Sequence, residues 1–146
     1  MALDTQLLRD FCQKGTLSFR VRDECMTPVI FEGENVIVTS CRIYWPGDIL
    51  VFHQGDARLR IHRLIAYRLK GRSLQLLTRG DRLESFDAPI HLDQVIGKVK
   101  AVASRDGRRN SLRRIWPLAR GVMDLGRMTA HLLASRIRRV CSAQNT

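Results

Sequence analysis

LSFRVRD, residues 17–23, alternates Leu17, Phe19 and Val21 against Ser18, Arg20 and Arg22. A period of two marks a half-buried β-strand. Immediately before it, Leu7, Leu8 and Phe11 recur at helical spacing, which predicts a short one-sided helix within residues 1–15 that stops near Gly15. Beyond it the period of two persists. NVIVTS (35–40), DILVFH (48–53), RLRIHRLIAYRL (58–69), SLQLLTRG (73–80) and VIGKVKAVA (95–103) each predict a strand, and WPGD, HQGDA and LKGRS supply turns between them. Short strands at this spacing predict a mainly β, antiparallel domain over residues 16–104. Phe19, Phe31, Phe52 and Tyr67 fall on strand patterns and are expected in its core.

From residue 107 the period becomes helical again. Ile115, Ala119, Val122, Met123, Ala130, Leu133, Ile137 and Val140 share one broad face, while Arg113, Arg120 and Arg127 line the other. Pro117 either starts a second helix or bends a single one. Residues 105–146 are therefore expected to form a basic amphipathic helical extension. Charge is partitioned accordingly: residues 1–103 hold 15 Lys and Arg against 12 Asp and Glu, whereas residues 104–146 hold 10 Arg against 2 Asp. Such a tail suits an anionic membrane surface, with Trp116 and aliphatics inserted and arginines on the headgroups, or else packs its apolar face on the β domain. RRNSLRR (108–114) lacks the aromatic interleaving of a single-strand nucleic-acid binder, so nucleic acid is disfavoured as a partner.

A chain of 146 residues with 45% hydrophobic content supports one core and leaves little for a second domain. Its four cysteines, Cys12, Cys25, Cys41 and Cys141, form no CxxC pair and no His/Cys ligand spacing. Neither a metal site, nor a cofactor, nor a disulfide framework is expected, and a reducing, cytoplasmic setting with optional peripheral membrane association follows. MALDTQLLRDFCQKG, broken by Asp4, Arg9 and Asp10, reads as neither a signal peptide nor a membrane span.

Cys25, in RDECMTPVI (22–30), is the residue type that raises chemistry. A thiol becomes a nucleophile when a base takes its proton, and an imidazole oriented by a carboxylate is the usual arrangement. The polar candidates downstream are His62, Asp81 and Asp87, whereas His53 and His91 sit at strand and loop ends and read as surface histidines. Residue types alone leave Cys25 open between nucleophile and small buried hydrophobe.

The order of the segments adds to this. CMTPVIFEGENVIVTS, WPGDILVF, IHRLI, LLTRGDRLESFD and VIGKVKAV, in that order, resemble the signal peptidase I superfamily over about residues 16–104, specifically the endoplasmic-reticulum and archaeal-type branch that pairs Ser with His. In that branch the nucleophile stands in Ser-Met-x-Pro, the base in His-Arg-Val/Ile, and the acids in Gly-Asp-x-x-x-x-x-Asp. The resemblance implies a coiled antiparallel β fold and a peptide or protein substrate. It assigns Cys25 as nucleophile, His62 as base, Asp87 as the acid orienting His62, and Asp81 as a supporting acid, with the Cys25 N–H as an oxyanion donor.

The sequence departs from the family in three ways. Cysteine replaces the serine, residues 1–15 are not expected to form the family's membrane anchor, and Asp23 and Glu24 replace the usual small pair before the nucleophile. An inward carboxylate there would repel an oxyanion and raise the thiol pKa. Both are expected to point outward, leaving an activated thiol. The rival expectation is a catalytically silent module that keeps the groove for a peptide or partner.

Overall fold

The computed structural model describes residues 5–55, 58–103 and 109–111. All belong to one compact unit, Met1–Ile115. Apart from residues 109–111, the expected helical extension, and with it the membrane contact, lies outside the described residues. Among the described residues no helix is long and apolar enough to cross a membrane.

The architecture is a mainly antiparallel β sheet with one short N-terminal helix. Helix α1 (Thr5–Lys14) ends where Gly15 N–H donates to Phe11 O, and the chain turns directly into β1 (Thr16–Arg20). The strands β2 (Asn35–Thr39), β3 (Ile49–His53), β4 (Leu59–Lys70), β5 (Ser73–Arg79), β6 (Val95–Ala103) and β7 (Arg109–Ser111) follow. Sheet order is β1-β2-β6-β3-β4-β5, with β7 also paired to β6, and every pairing is antiparallel.

β7 corrects the expected boundary, because residues 109–111 fall within the expected helical extension but form a strand. The ladder explains the difference. β3 accompanies β6 only to the Leu50–Lys98 pair, which leaves the polar backbone of Ala101–Ala103 open on that side, and Arg109–Ser111 pairs with it. A three-residue strand has no room for an alternation that a sequence pattern could display.

The sheet is buried on both faces, so β3 reads as a continuous apolar run. Ile49 and Val51 join a cluster with Met26, Ile30, Val36, Val38 and Ile96, whereas Leu50 and Phe52 join one with Leu64, Leu76, Ile90 and Val95. Phe52 is fully buried and Phe19 and Tyr67 partly so, but Phe31 is exposed because it lies in the loop after Ile30 and not on a strand.

Candidate active site

Cys25 sits in the loop between β1 and β2, and its neighbours fix it. Met26 and Ile30 are fully buried, each contributing about 1.5–3 kcal/mol of apolar burial that pins the loop. Within the loop, Thr27 N–H donates to Glu24 O (3.1 Å), and Val29 and Ile30 N–H donate to Met26 O. A second tie comes from beyond β5, where Arg82 N–H donates to Cys25 O (2.9 Å). Gly80 makes that approach feasible: a Cβ there would stand 2.8 Å from Cys25 O.

His62 comes from β4, opposite Leu50 of β3. Its ring meets Phe52 edge-on, with centroids 6.0 Å apart and planes at 67°. Cys25 packs on one apolar cluster and His62 against a member of the other, so the two side chains meet where the clusters meet. The distance from Cys25 Sγ to His62 Nε2 is 3.1 Å.

The other ring nitrogen faces Asp87. His62 Nδ1 lies 2.6 Å from Asp87 Oδ2, and the same oxygen accepts from Thr78 Oγ1 at 2.7 Å. Asp87 is held twice by Thr78, since its backbone N–H also donates to Thr78 O (2.9 Å). The loop folds back along β5, completed by the Leu76–Ile90 bridge, with the Arg79 guanidinium over the Phe86 ring. A carboxylate on Nδ1 requires the proton there, which leaves Nε2 as an acceptor facing the thiol. Thr78 is a participant that the sequence reading did not single out; its signal is a polar residue on the inward phase of β5, level with the buried Leu76. A register shift between Leu64 and Ala66 lets Thr78 pair with Leu64 there.

Asp81 stands apart from this relay. Both of its oxygens accept from Arg63, from Nε at 2.7 Å and from Nη2 at 2.6 Å, and Arg63 Nη1 donates to Gly47 O at 2.8 Å. The pair ties the loop after β5 to β4 beside His62 and to the turn before β3. Asp81 therefore buttresses the site, and its carboxylate is spent on Arg63.

The two residues before Cys25 divide. Glu24 points outward and pairs with Arg82. Asp23 turns inward, against expectation: its Oδ1 lies 2.7 Å from Cys25 Sγ and accepts from Cys25 N–H at 3.3 Å. An aspartate two residues ahead of a backbone N–H can close an Asx-type turn, and that local bond is what brings the carboxylate onto the sulfur. Burial first, then the hydrogen bond to Asp23, then the charges of Asp23 and Asp87 push the Cys25 thiol up to about 12. The expectation of a resting, activated thiolate is corrected by burial and by that inward carboxylate. The thiol proton faces two near acceptors, Asp23 Oδ1 and His62 Nε2, with Ile61 O farther off at 3.9 Å.

Among the described residues no cluster of His, Cys, Asp and Glu side chains has an arrangement that could hold a metal ion. No protein-family model matches the chain, and no curated protein matches it.

Proposed function

We propose that this chain is a signal-peptidase-like endopeptidase that cleaves a peptide or protein substrate through Cys25 and His62, with Asp87 orienting and stabilising the imidazole. The observation that carries the reading is the continuous contact chain Cys25 Sγ–His62 Nε2, His62 Nδ1–Asp87 Oδ2, Asp87 Oδ2–Thr78 Oγ1. Such a chain gives a thiol its base, and gives the base its tautomer.

The steps follow from the positions of the protons. Cys25 Sγ attacks the scissile carbonyl carbon as its proton passes to His62 Nε2, a C–S bond forms, and the carbonyl electron pair moves onto oxygen, facing the Cys25 N–H. Asp87 offsets the imidazolium charge. Collapse breaks the C–N bond, and the leaving amine takes the proton from Nε2. Water then attacks the thioester, His62 Nε2 receives the water proton, and as the C–S bond breaks that proton passes to Sγ, which releases the carboxylic acid and restores the thiol and the neutral imidazole.

Asp23 favours a second reading, a catalytically inactive peptide- or partner-binding module, because burial and its carboxylate keep the thiol neutral and the carboxylate occupies the Cys25 N–H. A mixture of unstructured peptides separates the two, assayed by mass spectrometry with the native chain, Asp23→Asn, Cys25→Ala and His62→Ala. Cleavage by the native chain or Asp23→Asn that is lost in both other variants supports the peptidase. Peptides retained intact by all four proteins would replace it with the binding module.

A further inference from the structure

A tetrahedral oxyanion formed on Cys25 would lie beside Sγ and accept from the Cys25 N–H, and that is the position Asp23 Oδ1 occupies. The carboxylate thus competes with the substrate carbonyl for one place. Removing it by rotation alone would leave an anion next to a developing anion. Its surroundings do not neutralise it: among the described residues no cation forms an ion pair with Asp23, while the nearby Arg82 is taken by Glu24 and Arg63 by Asp81. The other groups facing the thiol are His62, with Asp87 behind it. Asp23 is also exposed, so a solute can reach it.

We infer that Asp23 is a specificity-determining residue that selects peptides carrying a Lys or Arg side chain next to the scissile bond. The inference rests on the peptidase reading and adds the substrate class. The cation of the substrate pairs with the Asp23 carboxylate and draws it off Sγ and the Cys25 N–H. His62 Nε2, closer to the sulfur than Ile61 O, then becomes the nearest acceptor of the thiol proton, and the N–H is open to the carbonyl oxygen. Neutral peptides leave the carboxylate in place, and acidic ones add repulsion to it.

Two readouts on the full chain test this. The first is cleavage of paired peptides with Lys or norleucine beside the scissile bond. The native chain should prefer Lys by about tenfold or more in kcat/KM, and Asp23→Asn should cleave both at nearly equal rates, with the norleucine peptide faster than in the native chain. A preference that survives Asp23→Asn, or that is absent from the native chain, overturns the inference. The second readout needs no turnover: ultraviolet thiolate absorbance of Cys25, taken as the difference from Cys25→Ala, titrated with an N-methylated, uncleavable Lys peptide. The titration midpoint should fall by about one unit or more, whereas the norleucine counterpart and the Asp23→Asn protein should show no such fall. An unmoved midpoint alongside normal peptide cleavage sinks the role of Asp23 and leaves the peptidase standing. A moved midpoint without cleavage of any peptide sinks the peptidase and keeps Asp23 as a cation receptor.

Discussion

Asp87 and Asp23 approach the same pair of side chains from opposite ends, at 2.6 Å from His62 Nδ1 and 2.7 Å from Cys25 Sγ. Distance does not distinguish them; the group each one touches does. Asp87 accepts from a nitrogen that gains positive charge when the thiol is deprotonated, so its own charge favours the ion pair. Asp23 accepts from the thiol itself, so its charge favours the neutral form and resists the anion. Both charges thus raise the thiol, but Asp87 also stabilises the imidazolium that would receive its proton, whereas Asp23 stabilises nothing but the neutral thiol, and Thr78 reinforces Asp87 by fixing the oxygen that faces His62.

Breaking the Asp87 arm should have the largest effect. Asp87→Asn presents an amide that no longer enforces the proton on Nδ1, and peptide cleavage should fall by about 10³–10⁴-fold in kcat/KM. Far-ultraviolet circular dichroism should be unchanged, and the pH profile of the residual rate should shift, which a merely structural carboxylate would not produce. Unaltered turnover would remove Asp87 from the relay.

The two Arg–carboxylate pairs near the site offer a parallel contrast in stability. The Arg63 and Asp81 side chains are 9% and 12% exposed, whereas those of Arg82 and Glu24 are each 60% exposed. Asp81→Asn strands a largely buried guanidinium, and the cost should be about 3–5 kcal/mol in denaturant unfolding. A loss below about 1 kcal/mol would show that solvent reaches Arg63 and that the buttress is weak.

Part of this arrangement is legible in the sequence. Strict alternation in LSFRVRD and apolar density in DILVFH announce strands, because burying one face or two leaves different traces along the chain. Cys25, His62 and Asp87 are of the residue types that a thiol, its base and an orienting acid require, and the fold closes them into contact. What the sequence hides is direction. Asp23 and Glu24 are adjacent carboxylates of nearly equal chemistry, and only the local Asx-type bond to the Cys25 N–H sends one inward. Asp81 could not be separated from Asp87 by type. Its assignment depends on Arg63, whose neighbour His62 faces the other way along β4, as alternation requires.

The titration of Cys25 tests the Asp23 arm on the intact chain. Its pKa is raised from 9.0 to about 12, so the alkylation rate with iodoacetamide should keep climbing beyond pH 9 and show no plateau near neutrality. The same shift sets a sign for stability. Below pH 9 the thiol is neutral folded and unfolded, and its contribution is fully present. Between 9 and about 12 the unfolded chain loses the proton while the folded chain keeps it, so stability falls as pH rises. Denaturant midpoints measured across that window should fall more steeply for the native chain than for Cys25→Ala. Parallel slopes, or a thiolate already formed at neutral pH, would mean that burial and Asp23 together do not hold the thiol in solution.

The smallest effect is expected at Glu24, and it isolates direction from charge. Glu24→Gln removes the same unit of charge as Asp23→Asn, one residue further along the chain, from a side chain that faces solvent and Arg82. Exposed pairs contribute about 0–1 kcal/mol, and water screens their field before it reaches the sulfur. Unfolding free energy should therefore change by less than about 1 kcal/mol, and the alkylation profile of Cys25 should overlay that of the native chain. Asp23→Asn, measured beside it, should move the profile toward lower pH by removing both the acceptor and the charge that hold the thiol. If the two variants moved it equally, net charge around the loop would govern Cys25, and the inward contact of Asp23 would lose its special standing.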